Sequence, residues 1–564
     1  MARAIEKKIL HFSIYDVIVL AFLALLTYGI SLLASRWTGT IVYQAKISMS
    51  PIALIGYTFF SMSRGFIAYG LSLAFTFGYG YLAAKNRYAE RILIPILDIL
   101  QSIPVLGFLP GIVLGMIALF PHSNIGLEFA SIIMIFTGQV WNITFSFYQS
   151  LKSIPKDLIE ASKIYGFSKW KTFWNVEVPY SMPGLVWNSM MGMAGGWFFL
   201  IVCEAFTLEN KNFMLPGIGS YMAVAMSNGY VPGEFYGIIA MILMILAIDI
   251  FFWRPIVAWS NKFKMEEVAS EEESTSFILD VLKNSHILKF FRDLTNLQKF
   301  QSKYSHKEVK HPSENLYESQ NKAGNVIFYS ILGFVTAVII WRFFTFVGNV
   351  NLSQLLLILS DDGFTAFRVY LAVAISIAWA LPVGIIIGKS LKLSKRMQPI
   401  VQVLASFPAP MIYPWFAMLF PQINWSSILL MLLGTQWYVL FNVIAGASTI
   451  PNQLKEASMM LNFDKKQLWR DLYIPAVLPY LITGAITAAG GAWNASIVAE
   501  YMTINGKLLE ANGIGALINN FTNSGELNLL AVSIVVMSIS VVIINKLMWR
   551  PLQKWTTSKF NFEE

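Results

Sequence analysis

Apolar runs of about 18 residues or more recur along this chain, each long enough to cross a hydrocarbon core of roughly 30 Å as a helix. Backbone in lipid must satisfy its own hydrogen bonds, and runs this continuously apolar do so as helices. In order, they place spans at about 16–34, 63–84, 92–120, 126–149, 180–203 and 234–256, and the pattern resumes at about 325–347. Composition agrees: 13% of residues are charged, about half the roughly 25% of a soluble domain. The run at 92–120 holds Pro95, Pro104 and Pro110, so it is expected to be kinked or broken. Such breaks survive in a membrane only where protein or a cavity re-satisfies the backbone.

The net charge of +9 does not indicate nucleic acid. Lys and Arg gather in short segments beside the apolar runs, where the positive-inside rule puts them, and no soluble basic face exists to carry a nucleic-acid site. The single cysteine, Cys203, rules out an internal disulfide and a Cys-rich metal site, and the five scattered histidines form no ligand set, so no metal is expected. The basic start, MARAIEKKILHF, is followed by a long run without a small-residue cleavage site, which reads as a first span. Counting crossings from a cytoplasmic N-terminus puts the C-terminus inside as well.

The chain repeats itself. Adding 304 takes Arg64 to Arg368, Gly80 to Gly384 and Pro104 to Pro408. Adding 296 takes Trp141 to Trp437, Glu160 to Glu456, Trp197 to Trp493, Glu204 to Glu500, and Trp253-Arg254-Pro255 to Trp549-Arg550-Pro551. A gapless constant offset over about a hundred residues marks a tandem duplication. The expected fold is therefore all-α and polytopic, with two parallel six-helix halves, about 12 membrane helices in all. The halves run 1–260 and 324–564, joined by a charged, Ser-rich cytoplasmic linker at 261–323 with one amphipathic stretch inside it. Parallel repeats imply a pseudo-two-fold axis along the membrane normal with a pathway between them.

Two polar islands interrupt the apolar runs at equivalent places. One, Ile154–Pro183, reads IPKDLIEASKIYGFSKWKTFWNVEVPYSMP; the other, Ile450–Pro479, reads IPNQLKEASMMLNFDKKQLWRDLYIPAVLP. Both are too polar to span, and the crossings put both on the cytoplasmic side. No phosphate-binding loop accompanies them. Gly384 to Ser390 imitates one, but three residues separate its glycines where four are needed, and it ends a spanning run. Any nucleotide energy must come from another chain.

The islands resemble the cytoplasmic loop of importer-type ABC permeases, whose pattern is Glu-Ala-Ala, three residues, Gly, nine residues, then an aliphatic residue and Pro. Glu160-Ala161-Ser162, Gly166 and Pro179 match in one copy; Glu456-Ala457-Ser458 and Pro475 match in the other, where Asn462 replaces Gly. Asn tolerates left-handed backbone better than other non-glycine residues, so the turn is expected to survive with an unequal grip. The proline-rich third run and the fifth run of each half resemble the nitrate, sulfonate, taurine and bicarbonate-type permeases. The resemblance implies a permease of the type I importer kind in the plasma or inner membrane. It implies ATP and Mg on two separate ATP-binding subunits docked at the islands, no cofactor on this chain and no covalent catalysis by it. An extracytoplasmic substrate-binding protein would deliver a small oxyanion to exterior loops at about 205–232 and 501–527.

Charges inside spans cost about 2.5–3.5 kcal/mol each on insertion scales. Arg64, Arg368, Glu204 and Glu500 are retained in both halves, so they and Trp197 and Trp493 are candidates for the gate or pathway; a structural ion pair is the alternative. Asp98 maps onto Gln402, so its role is confined to one half. An ion-gradient-driven secondary transporter with parallel six-helix repeats is the competing function. It calls for paired acidic or histidine residues at mid-membrane and gives the islands no task.

Overall fold

In a computed structural model, the chain is described at 42–208, 211–263 and 350–560, apart from 421 and 505, with isolated residues at 27–39 and 333–348. The expected spans at 16–34 and 325–347 and the linker at 261–323 fall largely outside the described residues. The described chain is helical almost throughout. It holds eight unbroken helices long and apolar enough to span a membrane, or ten counting two sharply bent pairs.

The observed spans follow the apolar runs but are longer. The helix expected at 63–84 starts at Ala53 and ends at Lys85, because ALIGYTFFSM continues the apolar character upstream. Asn86 separates this helix from Arg87–Ser102: its backbone is extended (φ −122°, ψ 112°) and its side chain accepts from the Tyr88 and Ala89 amides, as an N-cap does.

The break expected in the third run has a single cause among its three prolines. Pro95 lies inside Arg87–Ser102, and Pro110 sits in the first turn of Leu109–Leu119, where its missing N–H is harmless. The chain breaks before Pro104, where Ile103 takes an extended conformation (φ −76°, ψ 133°), as residues preceding proline do. The second half repeats this at Phe407, before Pro408. The two arms meet at 88° in one half and 77° in the other.

A π-helical turn at Thr76–Gly80 has no proline close behind it; four other spans contain one, at Phe173–Glu177, Asp249–Trp253, Leu468–Tyr473 and Asn545–Trp549. A proline follows each two residues on: Pro179, Pro255, Pro475 and Pro551. The widened turn moves aside the carbonyl that the proline ring would strike and that has lost its N–H donor. The same turns let the ends of the islands run directly into spans, giving continuous helices Lys169–Glu204 and Lys465–Ala499. The expected start of the fifth span at 180 therefore moves back to Lys169, about three helical turns earlier.

The chain falls into two compact units. The smaller comprises 1–35, 153–186 and 250–349; the larger comprises 36–152, 187–249 and 350–564. In the smaller unit, the described residues form the first island and the helix Arg254–Ser260. The larger unit packs its core around Ile423–Ser448, Ile474–Ala499 and Leu352–Gly388, with Val439, Val443, Val477, Ala485 and Ala488 fully buried. Small residues on these helices let backbones approach, as membrane packing requires. A Cβ on Gly384, for instance, would come within 2.5 Å of Val443.

The segments expected as exterior loops at 205–232 and 501–527 are folded. Each is a two-stranded antiparallel hairpin, Ala205–Leu208 with Lys211–Met214 and Tyr501–Ile504 with Lys507–Glu510, followed by a short helix, Ile218–Ser227 or Ile514–Ser524.

Candidate functional site

The islands are built alike. Each begins with a proline in extended backbone (Pro155 ψ 136°, Pro451 ψ 140°) and a nine-residue helix, Lys156–Ile164 or Asn452–Met460. Each helix ends in a left-handed residue, Gly166 at φ +66° and Asn462 at φ +51°; Asn462 is the one non-glycine with positive φ among the described residues. The closing hydrogen bonds coincide. The Gly166 amide donates to the Lys163 carbonyl (2.9 Å) and Phe167 to Ser162 (2.9 Å); Asn462 donates to Met459 (3.1 Å) and Phe463 to Ser458 (3.0 Å). Asn462 thus reproduces the glycine turn, at the conformational cost a Cβ carries there.

Ser162 and Ser458 are buried beneath these helices, each donating back to a carbonyl three residues earlier, Ile159 or Lys455 (both 2.7 Å). Glu160 and Glu456 point outward and are exposed, and Ala161 and Ala457 sit beside them. Large apolar side chains stand out of the turns. Ile164 and Tyr165 are 84% and 76% exposed in one copy, and Met460 and Leu461 are 82% and 68% exposed in the other. Each island therefore presents a rigid helix-turn with acidic and apolar groups on a surface that no other described residue covers.

The intramembrane charges form two related clamps in the larger unit. Arg64 donates from Nε and Nη2 to the Glu128 carboxylate (2.6 and 2.9 Å), and from Nη1 to Glu204 (2.6 Å) and the Pro216 carbonyl (3.0 Å). Glu204 also accepts from Ser61 (2.7 Å) and from the Gly219 amide (2.7 Å). In the second half Arg368 reaches Glu500 (2.8 Å) and the Asn424 side chain (2.8 Å), while Glu500 accepts from Thr365 (2.9 Å) and the Gly515 amide (2.9 Å). The clamp ties the second expected span to the fifth and to the short helix after the hairpin. Burial is complete for Arg64, Glu128 and Glu204.

Glycine is required where that short helix meets the clamp. A Cβ on Gly217 would overlap the Glu204 carboxylate, and one on Gly513 would overlap Glu500. Sequence comparison missed Glu128 and Asn424, which occupy equivalent positions, because it weighed identities. The hydroxyls of Ser61 and Thr365, 304 apart, were a readable signal.

A cavity of about 880 Å³ lies within the larger unit, lined from both sequence halves. Its wall is aromatic and amide-rich, with Trp141, Trp187, Tyr438, Asn142, Asn188 and Asn442. Of the six expected gate or pathway residues, Trp493 contributes to this wall; Arg64, Arg368, Trp197, Glu204 and Glu500 lie away from it. Trp197 is buried against Gly65 instead. Among the described residues no cluster of His, Cys, Asp and Glu is arranged to hold a metal ion.

A duplicated, predominantly helical membrane fold with two exposed helix-turn islands and an internal cavity points to a membrane transport component. The family model described as binding-protein-dependent transport system inner membrane component matches twice, at residues 76–253 and 380–550. The chain belongs to that family, with one match in each half. Among curated relatives, the nitrate import permease protein NrtB of Synechococcus elongatus is 29% identical over 158 residues, covering 28% of this chain and 54% of its own length. The putative aliphatic sulfonates transport permease protein SsuC of Bacillus subtilis is 27% identical over 210 residues, covering 36% and 74%. The bicarbonate transport system permease protein CmpB of Synechococcus elongatus is 29% identical over 134 residues, covering 24% and 48%. The chain thus spans about half the length of the nitrate and bicarbonate relatives. A solved structure of the inward-facing MetNI methionine ABC transporter aligns with 36% of the chain and 99% of its own at a TM-score of 0.30 and 18% identity, a likeness that carries no weight here.

Proposed function

We propose that this chain is the fused transmembrane subunit of an ATP-driven importer for a small oxyanion, working by alternating access. The pair of exposed islands carries the reading. Two copies of one helix-turn, each fused through a π-helical turn to a long span, suit the task of transmitting movement from outside the membrane. The apolar side chains at Ile164, Tyr165, Met460 and Leu461 suit a groove on a partner. In this reading two ATP-binding subunits grip the islands on the cytoplasmic side, hold the ATP and Mg, and rock the six-helix halves. An extracytoplasmic binding protein docks on the hairpins Ala205–Met214 and Tyr501–Glu510 and the helices after them. The chain sits in the plasma or inner membrane with both termini and the linker inside, and performs no covalent chemistry.

The solute class follows from relatives named for nitrate, bicarbonate and aliphatic sulfonates. The ion-gradient alternative is disfavoured. It calls for paired acidic or histidine residues in the passage, whereas the described cavity wall carries one carboxylate, Asp98, and no histidine, and the clamp carboxylates lie off that wall. Uptake of labelled nitrate, bicarbonate or methanesulfonate into vesicles separates the two. The importer reading expects uptake that requires ATP and survives collapse of ion gradients. Uptake that is independent of ATP and lost with the gradient would contradict it.

A further inference from the structure

The cavity wall is nearly uncharged. Among its described lining residues, Asp98 and Arg550 are the charged ones. They lie 452 residues apart in sequence, yet Arg550 Nη2 donates to Asp98 Oδ2 at 2.6 Å. The pair differs from the clamps in three ways. Its side chains remain 33% (Asp98) and 44% (Arg550) exposed, whereas those of Arg64, Glu128 and Glu204 are fully buried. Among the described residues, Arg550 makes one hydrogen bond where Arg64 makes four. And the carboxylate is not duplicated: Gln402, the counterpart of Asp98, is buried off the cavity wall.

The pair also has a defined place. Thr449, Ile450 and Pro451, which lead into the second island, line the same cavity, as does Gln553 beyond Arg550. One span separates Ile423–Ser448 from Leu527–Thr556, so these two helices end on the same side. Arg550 therefore stands at the island end of the cavity, the end from which an imported solute leaves.

A guanidinium offers five N–H donors in a planar fork that matches the spaced oxygens of nitrate, bicarbonate or a sulfonate. Without a neighbouring carboxylate it would hold such an anion more tightly and release it somewhat more slowly. Beside a carboxylate, binding exchanges one set of charge-assisted hydrogen bonds for another, and the displaced Asp98 carboxylate, partly exposed to solvent, opposes retention of the anion. A structural ion pair, by contrast, is expected to be sealed from solvent, as the Arg64 clamp is.

We propose that Arg550 is the cationic station at which an anionic solute is held before it leaves the cavity, with Asp98 as the resident counter-ion that the solute displaces. The inference rests on the oxyanion-importer reading and names the residue that would recognise the charge. It predicts unequal roles for the partners. Removing Arg550 strands a negative charge in the path of an anion; removing Asp98 leaves the cation in place.

The test is uptake of labelled nitrate, bicarbonate and methanesulfonate by cells carrying the full importer, with membrane levels matched by immunoblot. Arg550→Gln is expected to lower uptake about tenfold or more, the scale on which uncompensated charges act. Arg550→Lys is expected to keep a substantial part of it. Asp98→Asn is expected to lower the maximal rate by less than about threefold and to lower the half-saturating concentration, since the anion no longer competes with a carboxylate. Equal losses for Asp98→Asn and Arg550→Gln, or no advantage of Lys over Gln, would make the pair a structural latch and overturn the proposal. Should Arg550→Gln not accumulate, the Asp98→Asn rate decides, and a fall beyond about tenfold overturns it. A wild-type chain that imports none of the three anions would instead overturn the oxyanion reading, and this inference with it.

Discussion

At the scale of single residues, the two clamps give the duplication different energetics. The first sets one arginine against two carboxylates, Glu128 and Glu204; the second sets one arginine against Glu500 and the neutral Asn424. Breaking a buried ion pair by removing one partner destabilises by about 3–5 kcal/mol, because the other charge stays behind. Arg64→Met is therefore expected to lose stability on that scale and Arg368→Met distinctly less, as measured by thermal unfolding of the purified chain in detergent; equal losses would contradict the charge count. Asn462 offers a milder test. At φ +51° a β-branched side chain is strained by about 1–2 kcal/mol, so Asn462→Val should lower the unfolding midpoint, while Asn462→Gly should leave it unchanged or raise it slightly. A destabilising Asn462→Gly would mean that the Asn side chain, and not the turn, matters there.

At the scale of elements, the sequence was legible wherever one residue type has one structural consequence. Prolines located the breaks before Pro104 and Pro408, and apolar length located the spans. It was less legible where a boundary depends on tertiary packing. The helix from Ala53 gains its first turns by delivering Ser61 to Glu204, a contact 143 residues away that no local pattern announces. The hairpins after the fifth spans went unread for a similar reason: each is a four-residue strand pair whose order comes from the clamp beneath it. The glycines that seat the following helices give the check. Gly217→Ala or Gly513→Ala should displace a clamp carboxylate and destabilise by about 1–3 kcal/mol. Gly56→Ala, in an open position, should be neutral or slightly stabilising, since Ala favours helix by about 1 kcal/mol. Differential scanning of the three variants decides it, and a neutral Gly217→Ala would contradict the close approach.

At the scale of the whole molecule, the two halves have kept their frame and changed their lining. The clamps, the broken third helices, the π-helical turns before prolines and the islands recur at constant offsets. The cavity wall repeats only in part: Gly138 and Gly195 answer to Gly434 and Gly491, but Asn142 answers to Tyr438, and Asn188 to Gly484. Fusion of the halves in one chain permits such divergence, because the cavity does not have to be built from two identical walls. What remains symmetric is the frame, and within it Glu160 and Glu456 occupy equivalent places on the two islands. Both are exposed, so their loss should leave the fold intact. The most direct measurement is recovery of ATPase activity with the affinity-purified chain, wild type against the double variant Glu160→Ala with Glu456→Ala. An importer subunit gripped at its islands should carry ATP hydrolysis with it, and the double variant should lose at least about tenfold of that activity while remaining monodisperse and equally stable. Recovery of the wild-type chain without any ATPase, or undiminished activity with the double variant, would contradict the account.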